Sequence, residues 1–169
     1  MFGVRGLDGF GFVHALIGIL ALLLGLAVIL LGKGTRLHRK VGFAYLMAMA
    51  ALNVTALWIF DLTGRFGGFH VAALISLATI IAGYLPVLLR RPREWMAVHG
   101  IFMGWSYAGL VAAFLAEIAV RVPGVGFSTG LITTTIVAVG GGALLIHTRV
   151  PVIARRISTR TAEHPNVRL

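Results

Sequence analysis

Five long apolar segments alternate with short polar connections along the chain. They cover roughly residues 11–32, 40–60, 68–89, 96–120 and 127–148. Because about 20 apolar residues let a helix cross the hydrocarbon core of a bilayer, each segment predicts a transmembrane helix. The connections are too short for a separate folded domain. We therefore predict an all-α integral membrane fold with one transmembrane domain, residues 1–150, and a basic cytoplasmic tail, residues 151–169.

Composition agrees with this fold and limits the chemistry. Of the 169 residues, 59% are hydrophobic and 12% are charged, a balance far from that of a soluble domain. The chain has no cysteine, which excludes disulfides, iron–sulfur clusters and thiolate ligands. A bound metal would therefore need His, Met or oxygen ligands.

The basic residues cluster in alternate connections. Of the 15 Lys and Arg residues, 12 lie between spans one and two, between spans three and four, or after span five. The positive-inside rule then predicts that the N-terminus lies outside and the C-terminus in the cytoplasm. The net charge of +10 fits a bilayer with anionic lipids better than a nucleic acid, because no stacking aromatic residues separate the basic residues.

Each of the first four predicted helices carries one histidine near its N-terminus. These histidines are His14, His38, His70 and His99. The positive end of a helix dipole disfavours imidazolium, so it favours the neutral form that ligates metals. Since successive helices run in opposite directions, we predict His14 and His70 at the outer face, and His38 and His99 at the inner face.

A weak internal repeat relates the first two spans to the next two. The runs "HRKVGFAY" and "HGIFMGWSY" each place a glycine and then a tyrosine after a histidine. Two similar hairpins of this kind predict a four-helix bundle with a 2+2 hairpin repeat, to which the fifth helix is appended. The repeat axis would set His14 opposite His70 and His38 opposite His99. The similarity is short enough to arise by chance.

Facing histidine pairs predict a haem site. A six-coordinate b-type haem requires an imidazole on each side of the iron, so two pairs predict up to two haem b groups. Copper is the weaker alternative. A row of mostly small residues on the first span leaves room for a flat macrocycle or for a neighbouring helix: Gly18, Ala21, Gly25, Val28 and Gly32.

Five residues are secondary candidates for the site: Arg39, Met103, Glu117, Arg121 and His147. Arg39 and its basic neighbours would bind haem propionates, or would mark the cytoplasmic boundary. Met103 follows His99 by one turn and would ligate haem or copper, or fill the core. Glu117 lies four residues before Arg121, which predicts an ion pair near the outer surface or a proton site.

Two further polar positions and one glycine run lie within the spans. His147 is predicted at the C-terminal end of span five, as a structural residue, a third inner ligand or a proton carrier. Asn53 lies midway along span two and is expected to form a hydrogen bond to another helix. The run at residues 140–142 favours close contact of span five with the four-helix core or with a partner protein.

These residues resemble a large uncharacterised bacterial family of predicted membrane proteins, known as a domain of unknown function. The similarity covers roughly residues 12–121 and implies a four-helix fold without an established activity. The residues that carry it are His14, Lys33, Gly34, His38, Arg39, Gly42, Tyr45, His70, His99, Met103, Ser106, Tyr107 and Arg121. The architecture also resembles di-haem transmembrane cytochromes, in which four helices each supply one haem ligand. The chain differs from them in that His38 and His70 lie very near the membrane interfaces.

Two functional hypotheses of different classes follow from these patterns. The first is a membrane-embedded, b-type cytochrome-like protein that carries electrons across the bilayer through its histidine-ligated haem. The second is a non-redox accessory or assembly subunit of a larger membrane complex, whose histidines and small residues serve packing and partner contacts. A copper-binding or other metal-binding membrane protein is the remaining alternative. Redox or membrane-complex proteins are the expected partners, and the sequence leaves open whether the protein is an enzyme.

Overall fold

The computed structural model describes residues 9–59, 66–91 and 94–163. These ranges contain five α-helices and no β-strand. The helices are α1 (Gly9–Leu30), α2 (Arg36–Ala56), α3 (Gly68–Leu89), α4 (Trp95–Ala119) and α5 (Phe127–Glu163). The predicted all-α fold is confirmed, and each helix overlaps the apolar segment that predicted it. Several basic residues counted for the topology lie outside the described ranges: Arg5, Arg65, Arg93 and Arg168.

Four of these helices are long and apolar enough to cross a membrane. They are α1, α3, α4 and the Ser128–Ile153 part of α5. Helix α2 has sufficient length at 21 residues, but Arg36, Arg39 and Lys40 near its start lower its apolar character. Spanning character is thus shown for four of the five predicted spans. The predicted orientation sets the two termini on opposite sides of the membrane, which requires an odd number of spans. Because the fifth span is not shown, this orientation stays a prediction.

Local hydrogen bonds define the turn between α1 and α2. The side chain of Lys33 donates from Nζ to the carbonyl oxygens of Val28 at 2.7 Å and Ile29 at 2.8 Å, which caps the C-terminal end of α1. Thr35 then begins α2, since its Oγ1 accepts a hydrogen bond from the backbone N–H of His38 at 3.1 Å. Gly34 between them has φ of 80°, a conformation that favours glycine. His38 is therefore fixed in the first turn of α2.

Helix α5 is longer than the sequence pattern predicts. The predicted span ended at residue 148, whereas the helix continues through Pro151 to Glu163. Its 37 residues correspond to about 55 Å at ~1.5 Å per residue, well beyond the ~30 Å hydrocarbon core. The placement of His147 at a helix C-terminus is consequently wrong. His147 is exposed in the interior of a continuous helix, where the dipole argument for a favoured imidazolium does not apply.

The chain divides into two compact units, residues 1–77 and 78–169, with the boundary inside α3. In the first unit α1 packs against α2. A Cβ atom added at Gly18 would lie 3.5 Å from Cδ1 of Leu52, an ordinary van der Waals contact. Ala21 and Gly25, farther along the same row, are buried. Of the two interpretations of the small-residue row, helix packing is therefore the one observed at Gly18.

In the second unit, small residues bring α4 and α5 into close contact at three successive turns. The pairs are Gly100 with Val150, Gly104 with Ile146, and Ala108 with Gly142. A Cβ atom added at Gly104 would lie 2.8 Å from Cγ1 of Ile146, and one at Gly142 would lie 2.5 Å from Cβ of Ala108. Each step of four residues along α4 is matched by an equal step back along α5. The two helices are therefore antiparallel, with backbones that approach as closely as small residues permit.

The glycine run of α5 contributes a single contact residue to this pair. Gly142 meets α4, whereas Cβ atoms added at Gly140 or Gly141 would find nothing within 4 Å. Both of these glycines are exposed. The prediction of close contact at the run is thus correct for one of its three positions.

Candidate functional site

His14 lies in the second turn of α1, half-buried, and is held by α2. Its Nδ1 is 2.7 Å from Oγ1 of Thr55. The single proton of that hydroxyl is directed to the α2 backbone, where Oγ1 lies 3.0 Å from the carbonyl oxygen of Ala51 and 2.9 Å from that of Leu52. Thr55 therefore accepts from Nδ1–H of His14. This bond assigns the proton of neutral His14 to Nδ1 and gives Nε2 the lone pair that ligates metals.

His99 has the same ring chemistry in the second unit. It lies in the second turn of α4, half-buried, with Nδ1 at 2.8 Å from the carbonyl oxygen of Gly83 in α3. A carbonyl only accepts, so Nδ1 of His99 must carry the proton and Nε2 the lone pair. Histidines that ligate metals commonly donate the other ring N–H to a carbonyl in this way. His99 is thus oriented as a ligand would be.

The carbonyl that accepts the hydrogen bond from His99 lies in α3, one turn before Pro86. Pro86 has no N–H, so it removes one helical hydrogen bond, and its ring pushes against the carbonyl of Ala82. Gly83 follows Ala82 and is buried against α4, where its missing side chain makes room for Phe102 and Met103. Carbonyls loosened by a proline within a membrane helix are commonly satisfied by a neighbouring helix. His99 supplies such a bond to the carbonyl of Gly83, the neighbour of Ala82.

His70 is the most deeply buried of the four histidines, with 3% of its surface exposed. Its Nδ1 accepts a hydrogen bond from the backbone N–H of Gly67 at 3.2 Å, so the side chain caps the first turn of α3. The ring also lies 4.9 Å from that of Phe66, centroid to centroid. Neutral His70 therefore carries its proton on Nε2, the opposite arrangement to His14 and His99. To ligate a metal through Nε2, it must first give up the bond to Gly67.

Hydrogen bonds place His14 and His70 at the same end of the first unit. The bond from His14 to Thr55 joins the start of α1 to the end of α2. Nδ2 of Asn53 donates to Oγ of Ser76 at 3.0 Å and joins the end of α2 to the first half of α3. His70 begins that half. The predicted inner pair is divided between the units, since His38 belongs to the first and His99 to the second, and this pairing remains a prediction.

Asn53 forms the interhelical bond predicted for it and donates also to the carbonyl of Met49 at 2.8 Å. We expect Asn53→Leu and Ser76→Ala to be coupled by about 0.6 kcal/mol, with an upper range near ~1.7 kcal/mol, as for hydrogen bonds between membrane helices. A double-mutant cycle on unfolding free energies in detergent measures this coupling. In the control cycle Thr134→Val replaces Ser76→Ala, because Thr134 bonds only its own helix, and additive effects are expected. Equal coupling in both cycles would contradict the prediction.

For the secondary candidates on and after α4, the structure shows core packing of Met103 and an ion pair between Glu117 and Arg121. Met103 lies against Gly83, its methyl group filling the space that a Cβ would occupy. Glu117 and Arg121 form the predicted ion pair, with 2.6 Å between Oε1 and Nη2, and Nη1 of Arg121 also donates to the backbone carbonyl of Glu117 at 2.6 Å. The side chains of this pair are 40% and 47% exposed. An exposed pair of this kind contributes little to stability.

The remaining candidates lie at the α1–α2 turn. Arg39 is exposed on the first turn of α2, and His38 beside it is half-buried. Within the described ranges, no three His, Asp or Glu side chains come together as a group that could hold a metal ion. A haem held by two histidines does not require such a group.

Sequence reasoning missed the partners of the site histidines. Thr55 and Gly83 accept from His14 and His99 across 41 and 16 residues of sequence, and neither had a distinguishing motif. Pro86 was the available signal, since a proline within an apolar segment marks carbonyls that need a donor from outside their own helix.

A protein-family profile matches residues 11–153, most of the chain. The family is described as "Predicted membrane protein (DUF2306)". The chain belongs to this family. The match confirms the resemblance to an uncharacterised membrane-protein family and extends it from residue 121 to include much of α5. Neither the curated proteins nor the solved structures gave a match.

Membership in DUF2306 shows a membrane protein and no more specific activity. All nine candidate residues of the site lie inside the matched range. The family description specifies no cofactor, so the likeness to di-haem cytochromes stays a prediction for this DUF2306 protein.

Proposed function

We propose that this DUF2306 protein is a membrane-embedded, b-type cytochrome-like protein that carries electrons across the bilayer. The observation that supports it is the shared ring orientation of His14 and His99. Each donates through Nδ1 to an acceptor on a neighbouring helix, and each directs a lone pair to Nε2. This is the supporting hydrogen bond expected of a histidine that would ligate haem iron. Each compact unit contains one such histidine.

The residues of the chain would hold and orient the ligands. The hydroxyl of Thr55 fixes the tautomer and tilt of His14, and the carbonyl of Gly83 does the same for His99. Both acceptors raise the electron density of the ring and so strengthen its Nε2 as a ligand. Haem iron, once bound, supplies one-electron oxidation and reduction. His70 and His38 are the predicted second ligands, and ligation by His70 would require loss of its bond to Gly67.

The proposal includes a place in the cell and a topology. The distribution of Lys and Arg supports the inner membrane of a bacterium, with the N-terminus outside and the C-terminus cytoplasmic. This topology requires α2 to cross the bilayer. The antiparallel packing of α2 against α1 supports such a crossing despite the cations at its start.

The second candidate function is a non-redox accessory subunit. It is favoured by the fact that the same two hydrogen bonds join helices, α1 to α2 and α3 to α4. On this hypothesis His14 and His99 stabilise the helix bundle, and their Nε2 atoms need no metal.

Absorption spectroscopy distinguishes the two functions. The full chain is expressed with ample haem and purified in detergent, and its spectra are recorded oxidised and dithionite-reduced, with haem measured per chain. We expect a Soret band and sharp reduced α and β bands. His14→Asn should lower the haem content by about one per chain, because asparagine keeps a donor near the Nδ1 position and removes Nε2.

His147→Asn is the matched control, since His147 is exposed on α5. It should leave the haem content unchanged. A colourless wild-type protein would overturn the haem proposal and favour the accessory function, and copper found by metal analysis would favour the copper alternative. Equal haem in wild type and in the single variants His14→Asn, His38→Asn, His70→Asn and His99→Asn would show that the ligand assignment is wrong.

A further inference from the structure

One face of α2 is exposed along its whole length. The residues that share this face follow each other at helical spacing: Arg36, Lys40, Phe43, Met47, Ala51 and Val54. The two cations come first and the apolar residues follow. The opposite face, which includes Tyr45 and Met49, is buried. This exposed face, which we call the α2 outer face, therefore changes from charged to apolar in the direction of the helix.

The cations at its start have no acidic residue near them in sequence. Between Asp8 and Asp61 the chain contains no Asp or Glu, and the first turn of α2 has no acidic residue. Arg36, Arg39 and Lys40 are all exposed at the helix end where the dipole disfavours positive charge. Their position thus costs helix stability unless an anion compensates their charge.

Lys33 does not belong to this cluster. Its ammonium group donates to two carbonyls at the end of α1, and burial lowers the pKa of Lys33 from its usual value. The cations directed to the surroundings are the three on α2.

The apolar part of the face is long enough to lie along the acyl chains of a bilayer. Phe43 is 54% exposed and Met47 is 52% exposed. From Arg36 to Val54 the helix rises about 27 Å at ~1.5 Å per residue, close to the thickness of the hydrocarbon core. The preceding helix α1 crosses the membrane and ends at Leu30, so the adjacent start of α2 lies at the membrane boundary.

We propose that the α2 outer face is a binding site for one anionic glycerophospholipid. Arg36 and Lys40 bind the headgroup phosphate from adjacent turns, with Arg39 beside them. An acyl chain lies along Phe43, Met47 and Val54. The site needs both parts, because the phosphate is recognised by charge and the lipid is retained by apolar contact. The proposal does not require a bound haem, and it assigns these cations to a lipid headgroup and not to haem propionates.

Native mass spectrometry of the full chain with added lipid tests the site. The protein is titrated with phosphatidylglycerol or phosphatidylcholine of the same acyl chains, in a non-ionic detergent. We expect one phosphatidylglycerol to bind in preference to phosphatidylcholine. The double variant Arg36→Gln, Lys40→Gln should weaken that binding by about 30-fold, or ~2 kcal/mol, since each basic residue near the surface contributes ~1 kcal/mol.

The matched control removes the same charge elsewhere. Arg91→Gln with Arg149→Gln replaces two exposed arginines outside α2 and should bind phosphatidylglycerol as wild type does. The double variant Phe43→Ser, Met47→Ser tests whether the site binds the acyl chain as well as the phosphate. Loss of phosphatidylglycerol affinity supports the proposal, and undiminished affinity overturns it. Equal weakening in the α2 variant and the arginine control would also overturn it, because the effect would then follow net charge. Circular dichroism checks that each variant is folded.

Discussion

We expect Gly142→Leu to lower the free energy of unfolding by about 3 kcal/mol, the upper part of the range for overpacked cores. The reason is the 2.5 Å that would separate the new Cβ from Cβ of Ala108. An alanine Cβ is fixed to its backbone and has no rotamer that moves it away. To make room, α5 must shift away from α4, and the neighbouring close contacts such as that of Gly104 with Ile146 are then lost. SDS-induced unfolding of the purified protein, followed by circular dichroism, measures the change.

Gly141→Leu is the matched control for this substitution. It introduces the same side chain one residue earlier, where nothing lies within 4 Å of the Cβ position. We expect its unfolding free energy to stay within about 0.5 kcal/mol of wild type, as for most surface substitutions. Similar losses in both variants would show that the cost comes from a general effect of leucine at this part of α5, such as lipid contact, and that α4 and α5 are not in the register described.

We expect His99→Ala to have the second largest effect, a loss of about 2 kcal/mol in unfolding free energy. The substitution removes the hydrogen bond from Nδ1 of His99 to the carbonyl of Gly83 and leaves a space where the half-buried ring lay. A lost hydrogen bond costs about 0.5–1.5 kcal/mol, and the lost packing of the ring adds to this cost. His99→Asn keeps a donor near the same position and should retain most of the stability. Haem content is measured on the same samples.

Pro86→Ala provides an independent check on the cause. Alanine restores the N–H that pairs with the carbonyl of Ala82 and relieves the proline clash, so the helix can close around Gly83 and its carbonyl depends less on an outside donor. The cost of His99→Ala should therefore be smaller in the Pro86→Ala background than in wild type. An unchanged cost would show that His99 stabilises the protein through packing alone, or through another contact of its ring.

The fold could be predicted from sequence wherever the length of an apolar segment was enough to identify a helix. Each predicted span matches a helix because a bilayer leaves a helix as the simplest way to satisfy the backbone. The end of α5 was not predictable in this way. The apolar pattern ended the span at residue 148, but a proline inside a helix removes only one hydrogen bond, and the residues after Pro151 continue the helix to Glu163. The error about His147 followed from that boundary.

The sequence identified the candidate histidines but could not predict their hydrogen bonds. The rule of one histidine near each helix start identified His14 and His99, which are oriented by neighbouring helices. It could not show that His70 accepts through Nδ1, since that depends on the turn before α3. Nor could it show which face of α1 meets α2. Tautomers and registers depend on residues distant in sequence, and an apolar pattern alone does not encode them.

The contact between α4 and α5 has a consequence for the order of assembly. Glycine and alanine have no side-chain rotamers to lose, so Gly100, Gly104, Ala108 and Gly142 associate without the entropy cost that larger side chains incur. The turn between the two helices is short, with α4 ending at Ala119 and α5 beginning at Phe127, so closing it costs little as well. This hairpin thus forms with little loss of side-chain freedom at its contact once its helices are inserted. The rest of the second unit can then assemble on a rigid pair.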